Sequence, residues 1–160
     1  MGDISIRPTV DRDREWVEAL IAERWAAPVV VVHGEEFLPA ELPGFVATMG
    51  DEPVGLLTYA WSPTGCEIVT LDSLSERHGV GSALIDAVTH RARRVGCDRL
   101  WLVTTNDNLD ALRFYQRRGF QLVALYRDAV AAARQHKPQI PERGAYGIPI
   151  RDELELELRL

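Results

Sequence analysis

Short runs of alternating apolar and polar residues fill much of the first half of the chain, and this two-residue period is typical of half-buried strands. Gly50-Asp51 and residues 62–65 have the composition of turns and separate the central runs. Nearer the N-terminus, apolar residues around Trp16 recur at helical spacing. The first half therefore predicts a strand at residues 4–6, a helix near 16–21, an antiparallel hairpin of residues 45–49 and 54–60, and a third strand at 67–71.

The second half predicts helices that alternate with strands. Helical spacing of apolar residues runs from Gly79 to a stop at Gly96, and again from Asn108 to Gly119. Residues 100–104 and 120–126 predict strands, residues 128–136 a helix, and residues 138–149, with three prolines and two glycines, a loop. The tail, residues 150–160, alternates apolar with charged side chains and predicts a strand with one wet face. This order favours a mixed α/β sheet with helices on both faces.

Length and composition limit the class of protein. With 160 residues, of which 46% are hydrophobic, the chain predicts one domain spanning residues 1–160. The longest apolar run, residues 26–32, contains Pro28 and falls short of the roughly 20 residues that cross a bilayer. The N-terminus lacks the basic-then-apolar pattern of a secretory signal, so we expect a cytoplasmic protein without membrane attachment.

Charge and cysteine content argue against two further classes. The net charge of -6 provides no broad basic surface, so we expect no nucleic-acid partner, and the Arg91 to Arg94 cluster fits a solvated helix end. Cys66 and Cys97 stand far apart without a CxxC motif, and the four histidines are scattered. No metal site is therefore predicted, and both cysteines are expected to be packing residues.

The glycine pair at the start of the helix near residue 80 carries the most chemical information. Backbone N–H groups at a helix start lack partners inside the helix, and glycines let an anion approach them closely. Gly79-Val80-Gly81-Ser82 therefore predicts a phosphate or pyrophosphate site, with tight packing or a turn as the alternative for the glycine pair. A P-loop is excluded because no lysine follows Gly81, and the dinucleotide fingerprint is disfavoured because Leu84 stands where it needs a small residue.

Two blocks of sequence resemble the GNAT acetyltransferases. The acyl-CoA pyrophosphate loop of that family, Gln/Arg-x-x-Gly-x-Gly/Ala, is similar to residues 76–81, which read ERHGVG. The family block Asn-x-x-Ala-x-x-Phe-Tyr-x-x-x-Gly-Phe is similar to residues 108–120, NLDALRFYQRRGF. One departure is Glu76, which stands where the family has Gln or Arg and leaves Arg77 as the alternative basic residue.

The resemblance implies a mostly antiparallel twisted sheet in which two splayed strands hold acyl-CoA, with acetyl-CoA as co-substrate. It also implies which residues contact the cofactor: the pyrophosphate loop and helix start, a backbone N–H on the preceding strand, the block asparagine, and a tyrosine at the thioester sulfur. In this chain they are Arg77, His78, Gly79, Val80, Gly81, Ser82, Leu71, Asn108 and Tyr115. A plain helix cap is the alternative for Asn108, and ring packing is the alternative for Tyr115.

The reaction implied is direct transfer of an acetyl group to a primary amine, without an acyl-enzyme. An amine with a pKa of about 10.4 is protonated at neutral pH, so a base must remove a proton. Glu67 resembles the family carboxylate for this role, Asp72 is the second candidate, and a surface carboxylate is the alternative for Glu67. Tyr115 resembles the residue that protonates the departing thiolate.

The sequence thus predicts an N-acetyltransferase for a small-molecule or peptide amine; a non-catalytic acyl-CoA sensor is the alternative. Residues 128–149 are long for a link between neighbouring strands, and such links are often lids. We expect them to cover the acceptor, with Glu142 and Tyr146 as contacts. A structural excursion or a contact within a homodimer is the alternative.

Overall fold

The computed structural model describes residues 3–75 and 79–160. Most predicted elements are present within two or three residues of their expected bounds. Along the chain, the strands and α-helices of the structure are β1 (Ile4–Pro8), α1 (Arg14–Trp25), β2 (Val30–Val32), β3 (Glu35–Phe37), β4 (Gly44–Met49), β5 (Glu52–Ser62), β6 (Gly65–Ser73), α2 (Val80–Arg94), β7 (Arg99–Thr105), α3 (Leu109–Arg117), β8 (Gln121–Tyr126), α4 (Ala129–His136) and β9 (Glu153–Arg159).

The larger sheet has the strand order β1-β4-β5-β6-β7-β9-β8. Every neighbouring pair in it is antiparallel except β6 and β7, which run parallel. The hairpin predicted across Gly50-Asp51 is confirmed as β4 and β5. The mixed, mostly antiparallel sheet predicted from the sequence is therefore confirmed.

Helices cover the sheet on both faces, each over its own apolar core. Because successive strand residues point to opposite faces, Leu57 joins the core under α2 whereas its neighbour Leu56 joins the core under α1. Leu84 and Ile21, both buried, anchor α2 and α1 to these two cores. We refer to the two sides below as the α2 face and the α1 face.

The predicted wet face of the last strand is wrong for most of its length. β9 lies inside the sheet between β7 and β8, so side chains of both neighbouring strands lie beside its acidic residues, and Glu155 and Glu157 are only 15% and 14% exposed. Glu153 is buried, and Arg99 of β7 forms ion pairs with Glu155 and, at 2.6 Å, with Glu157. The alternation of apolar and charged residues correctly predicted which side chains of β9 share a face. It could not predict which residues lie beside that face, because strand order depends on distant parts of the chain.

The sequence missed the β2–β3 hairpin, which lies on the α1 face. Its strands are three residues each, joined by His33-Gly34. Both turn residues have positive φ, +41° and +81°, as a two-residue type I′ turn requires. Strands this short carry too little periodicity to predict. Among the helices that the structure describes, none is long and apolar enough to cross a membrane.

Candidate active site

Strands β6 and β7 diverge and leave a gap in the middle of the sheet. Their parallel pairing is limited to two positions, Cys66 with Leu100 and Glu67 with Trp101. Beyond those positions β6 continues to Ser73 and β7 to Thr105 without pairing to each other in the described residues. An unpaired stretch of strand edge offers backbone N–H and C=O groups to a ligand. The gap has the form of the splayed pair that the sequence resemblance implied.

A cleft of about 1440 Å³ opens at this gap on the α2 face. It brings together Leu71, Tyr115 and the start of α2, three features that the sequence placed in one site. The lining residues from the helix start are Gly79, Val80, Gly81 and Ser82. Two predicted cofactor residues, Arg77 and His78, lie with Glu76 outside the described residues.

Two glycines shape the helix start. Gly79 precedes the first residue of α2 and has φ +71°, a backbone conformation that other residues adopt at a cost. Gly81 lies directly under the Phe114 ring, so that a Cβ atom there would come within 2.9 Å of Phe114 Cζ. The glycine pair thus combines an unusual backbone conformation with close packing at the start of α2.

Arginines line this cleft, which the sequence analysis did not foresee. Arg118 donates from Nε to Ser82 Oγ at 2.9 Å and stacks its guanidinium on the Phe114 ring, 3.6 Å from the centroid. The other arginines of the lining are Arg93, Arg113 and Arg117. They come from two helices that meet only in the tertiary structure, and two aspartates, Asp86 and Asp110, share the lining, so the arginines outnumber the carboxylates where phosphate is expected.

Tyr115 is buried between the cleft and the core. The residue is only 6% exposed, and its ring packs edge-on against Phe114 and Phe120, each with centroids 5.2 Å away. Burial raises the pKa of the Tyr115 phenol well above its ordinary value, and the charge of Asp72 acts in the same direction. The hydroxyl therefore remains a proton donor throughout the neutral range.

Asn108 is the N-cap of α3, the alternative that the sequence left open. Its Oδ1 accepts a hydrogen bond from the Ala111 N–H at 3.4 Å, and its amide donates to Thr104 Oγ1 at 3.1 Å. Asn108 is not among the cleft-lining residues that the structure describes. Its contact with the cofactor stays a prediction.

Glu67 lies on the α1 face, across the sheet from the cleft. Its neighbours Cys66 and Ile68 belong to the core under α2, so the Glu67 side chain between them points the other way. Glu67 Oε2 is 2.6 Å from Nε2 of His33, and the carboxylate side chain is only 4% exposed. No local pattern indicated this contact, because the two residues are 34 positions apart.

Asp72 occupies the far end of β6 and is held by α1. The indole N–H of Trp25 donates to both carboxylate oxygens, at 3.1 and 3.3 Å. Burial raises the pKa of Asp72, and the Trp25 hydrogen bond opposes that rise. The carbonyl of Trp25 accepts a hydrogen bond from Lys137 Nζ at 2.5 Å, which ties the end of α4 to the same place. Both predicted base residues are thus buried and held in fixed positions.

Cys66 is not a nucleophile in this geometry. The residue is fully buried in the core under α2, and burial raises the pKa of its thiol to about 12. A thiol with such a pKa holds almost no thiolate at neutral pH, and the thiolate is the reactive form. This result agrees with direct transfer rather than an acyl-enzyme route.

The whole sequence was also compared with known protein families and proteins. The model of the family described as "Acetyltransferase (GNAT) family" matches residues 9–120. This chain belongs to the GNAT acetyltransferase family. Two proteins of Bacillus subtilis (strain 168), YdhI and YxbD, are each 39% identical to the acetyltransferase; the alignments cover 93% and 96% of its chain and 94% and 97% of theirs.

Solved structures share the fold of the acetyltransferase. An IAA acetyltransferase from Bacillus cereus ATCC 14579 superposes with a TM-score of 0.76 at 21% identity, covering 99% of this chain and all (100%) of that one. A GNAT family acetyltransferase from Elizabethkingia anophelis, described with acetyl-CoA bound, gives 0.69 at 18% identity with 100% of both chains covered. The predicted family, fold class and enzyme class are confirmed, and the acetyl-CoA described for the second structure agrees with the predicted co-substrate.

Proposed function

We propose that this acetyltransferase moves an acetyl group from acetyl-CoA to the primary amine of a small molecule or peptide, within a single domain formed by residues 1–160. The observation that carries the proposal is the position of Tyr115 in the cleft that begins at the glycine-rich start of α2. The pyrophosphate binds the free N–H groups of Gly79 to Ser82, with the nearby arginines balancing its charge. The pantetheine arm then follows the β6 edge toward Leu71.

Transfer needs three contributions from the protein. A backbone N–H near Leu71 stabilises the charge that develops on the thioester oxygen, and one such donor is worth about 10²- to 10³-fold in rate. The buried phenol of Tyr115 supplies a proton to the thiolate. Removal of the amine proton depends on a carboxylate of β6, Glu67, with Asp72 as the second candidate; both are held in place on β6.

Calorimetric titration followed by a thiol-release assay tests the proposal. We expect micromolar affinity for acetyl-CoA and CoA, and CoA release that depends on added primary amine. An amine panel compared with matched alcohols establishes the acceptor class. Tight acetyl-CoA binding without CoA release for any amine would instead support the non-catalytic sensor, and no binding would remove the cofactor site.

The segment 128–149 supports a lid over the entrance of this site. The Tyr146 hydroxyl donates to Asp110 Oδ1 at 2.6 Å, and the Ala145 N–H donates to Asp107 Oδ2 at 2.9 Å, so the loop is fastened to the start of α3. Tyr146 is 68% exposed and lines the same cleft as Tyr115. Glu142, the other expected contact, is exposed and is not among the described residues that line it.

We expect Tyr146→Ala to raise the KM for the amine roughly fivefold while kcat changes little, because it removes only binding contacts. Tyr126→Ala is the matched control, since that exposed tyrosine also donates to a carboxylate, Glu155, at 2.7 Å but lies on the edge strand β8. Steady-state kinetics at saturating acetyl-CoA measure both. Equal KM values for the two variants would contradict a lid, as would an unchanged KM after deletion of residues 139–147.

A further inference from the structure

A half-buried imidazole, His33, and a buried carboxylate, Glu67, form a pair at the point where β6 and β7 separate. Nε2 of His33 lies 2.6 Å from Glu67 Oε2, and the His33 ring contacts Trp101 with centroids 5.3 Å apart. Glu67 and Trp101 are the last paired residues before the gap opens. The imidazole therefore covers the base of the gap from the α1 face, opposite the face where the cofactor cleft opens.

The position of His33 is fixed by more contacts than a solvated turn residue needs. Its backbone has φ +41°, a left-handed conformation that histidine adopts more readily than most residues. Its N–H donates to the buried carboxylate of Glu153 at 3.2 Å, and Phe37 packs edge-on against its ring with centroids 6.0 Å apart. Both the backbone and the ring are therefore held in place, as a group with a positional role requires.

Exposure distinguishes the two members of the pair. The Glu67 side chain is 4% exposed and the His33 side chain 20% exposed, so the imidazole is the more accessible member of the pair. Within the described part of the chain, no side chain forms a hydrogen bond with Nδ1 of His33, and the backbone of His33 itself interacts with the ring and raises its pKa, which favours protonation of the imidazole. A neutral imidazole that donates from Nε2 to the carboxylate presents the lone pair of Nδ1 as a base.

We propose that His33 is the catalytic base of this acetyltransferase and that Glu67 is a positioning residue that acts through it. This inference rests on the proposed function and specifies its proton acceptor. Nδ1 of His33 takes one proton from the substrate ammonium and later releases it to solvent. The amine then forms the N–C bond, the C–S bond breaks, and the proton remaining from the nitrogen reaches the sulfur to give the CoA thiol, by way of Tyr115.

Three carboxylates set the charge around His33. Glu67 on β6 and Glu153 on β9 contact it directly, and Glu35 lies on its own hairpin. The hydrogen bond with Glu67 is the largest influence and raises the pKa of His33 above its ordinary 6.5, against the opposing effect of burial. The neutral, proton-accepting form is populated only above that raised pKa. We therefore expect kcat to increase with pH along a limb centred above 6.5.

The test measures kcat against pH at saturating substrates for wild type, His33→Asn, Glu67→Gln and His90→Gln. Asparagine tolerates the left-handed backbone, so His33→Asn retains the turn while removing the base. We expect kcat to fall about 100-fold or more with loss of the acid limb, as general-base contributions of about 10²- to 10⁴-fold imply. Acetyl-CoA affinity stays within twofold, and His90→Gln, at an exposed position on α2, behaves as wild type.

Glu67→Gln separates the base from the residue that positions it. With the imidazole still present, we expect partial activity and an acid limb moved to lower pH, and NMR titration of the His33 ring shows the same downward shift. If His33→Asn retains the limb while Glu67→Gln or Asp72→Asn abolishes it, a carboxylate is the direct base and the inference is overturned. If the wild-type protein acetylates no amine, the proposed function itself fails. If the wild type is active but His33→Asn retains the acid limb, only the assignment of His33 fails.

Discussion

Gly81→Glu is expected to weaken acetyl-CoA binding by about 100-fold or more, equivalent to roughly 2.8 kcal/mol. The substitution acts at the helix start in two ways. A Cβ atom at this position would come within 2.9 Å of Phe114 Cζ, and the carboxylate beyond it would occupy the space where we place the pyrophosphate. A negative charge in the first turn of α2 also satisfies the N–H groups and the dipole that would otherwise attract phosphate.

Two variants separate these causes in the same calorimetric titration. Gly81→Ala introduces the Cβ without charge, and we expect a smaller loss because the Phe114 ring can shift. His90→Glu adds the same negative charge at an exposed position on α2, and we expect acetyl-CoA affinity close to wild type. Tight acetyl-CoA binding by Gly81→Glu, in a protein with wild-type circular dichroism, would show that the phosphate site lies elsewhere.

Tyr115→Phe is expected to lower kcat about 100-fold while leaving the Kd for acetyl-CoA within a few fold. Proton supply of this kind contributes about 10²- to 10⁴-fold, and we expect the lower end. The reason is that proton transfer from the phenol to the thiolate is not favourable, because a thiol has a pKa of about 8.5 and a free phenol a higher pKa of about 10. Burial raises the pKa of Tyr115 further, so the hydroxyl is a weaker acid than in water.

The Tyr115→Phe variant keeps the ring, and with it the edge-on packing against Phe114 and Phe120. Stability should therefore change little, and the loss should be confined to the chemical step. Tyr59→Phe, which removes a hydroxyl from another buried tyrosine, is the matched control. Equal losses in acetyl-CoA affinity and in kcat would identify Tyr115 as a packing residue instead.

The cofactor side of the site could be predicted because its signals are local. Gly79 and Gly81 lie within three residues of each other, and Tyr115 lies within a helix whose boundary residues, Asn108 and Gly119, are visible in the sequence. The order of strands and helices follows from hydrophobic periodicity for the same reason. Each of these features depends on residues within about one turn or one strand of each other.

The contacts between distant elements could not be predicted from the sequence. His33 reaches Glu67 across 34 positions and Glu153 across 120, through a hairpin too short to show a period. Arg118 reaches Ser82 across 36 positions, which creates the basic lining of the cleft. Pairings at such separations depend on how whole elements pack, and no local pattern records them.

The sequence by itself thus determined the family and the order of the longer elements, and it brought forward the residues that we propose to face acetyl-CoA. Only the tertiary structure decided which carboxylates are buried, that Glu67 is paired with His33, and that Glu155 and Glu157 of β9 are paired with Arg99. The physical reason is that a residue's period along the chain fixes the direction of its side chain, whereas its charge partners and exposure depend on the element packed above it.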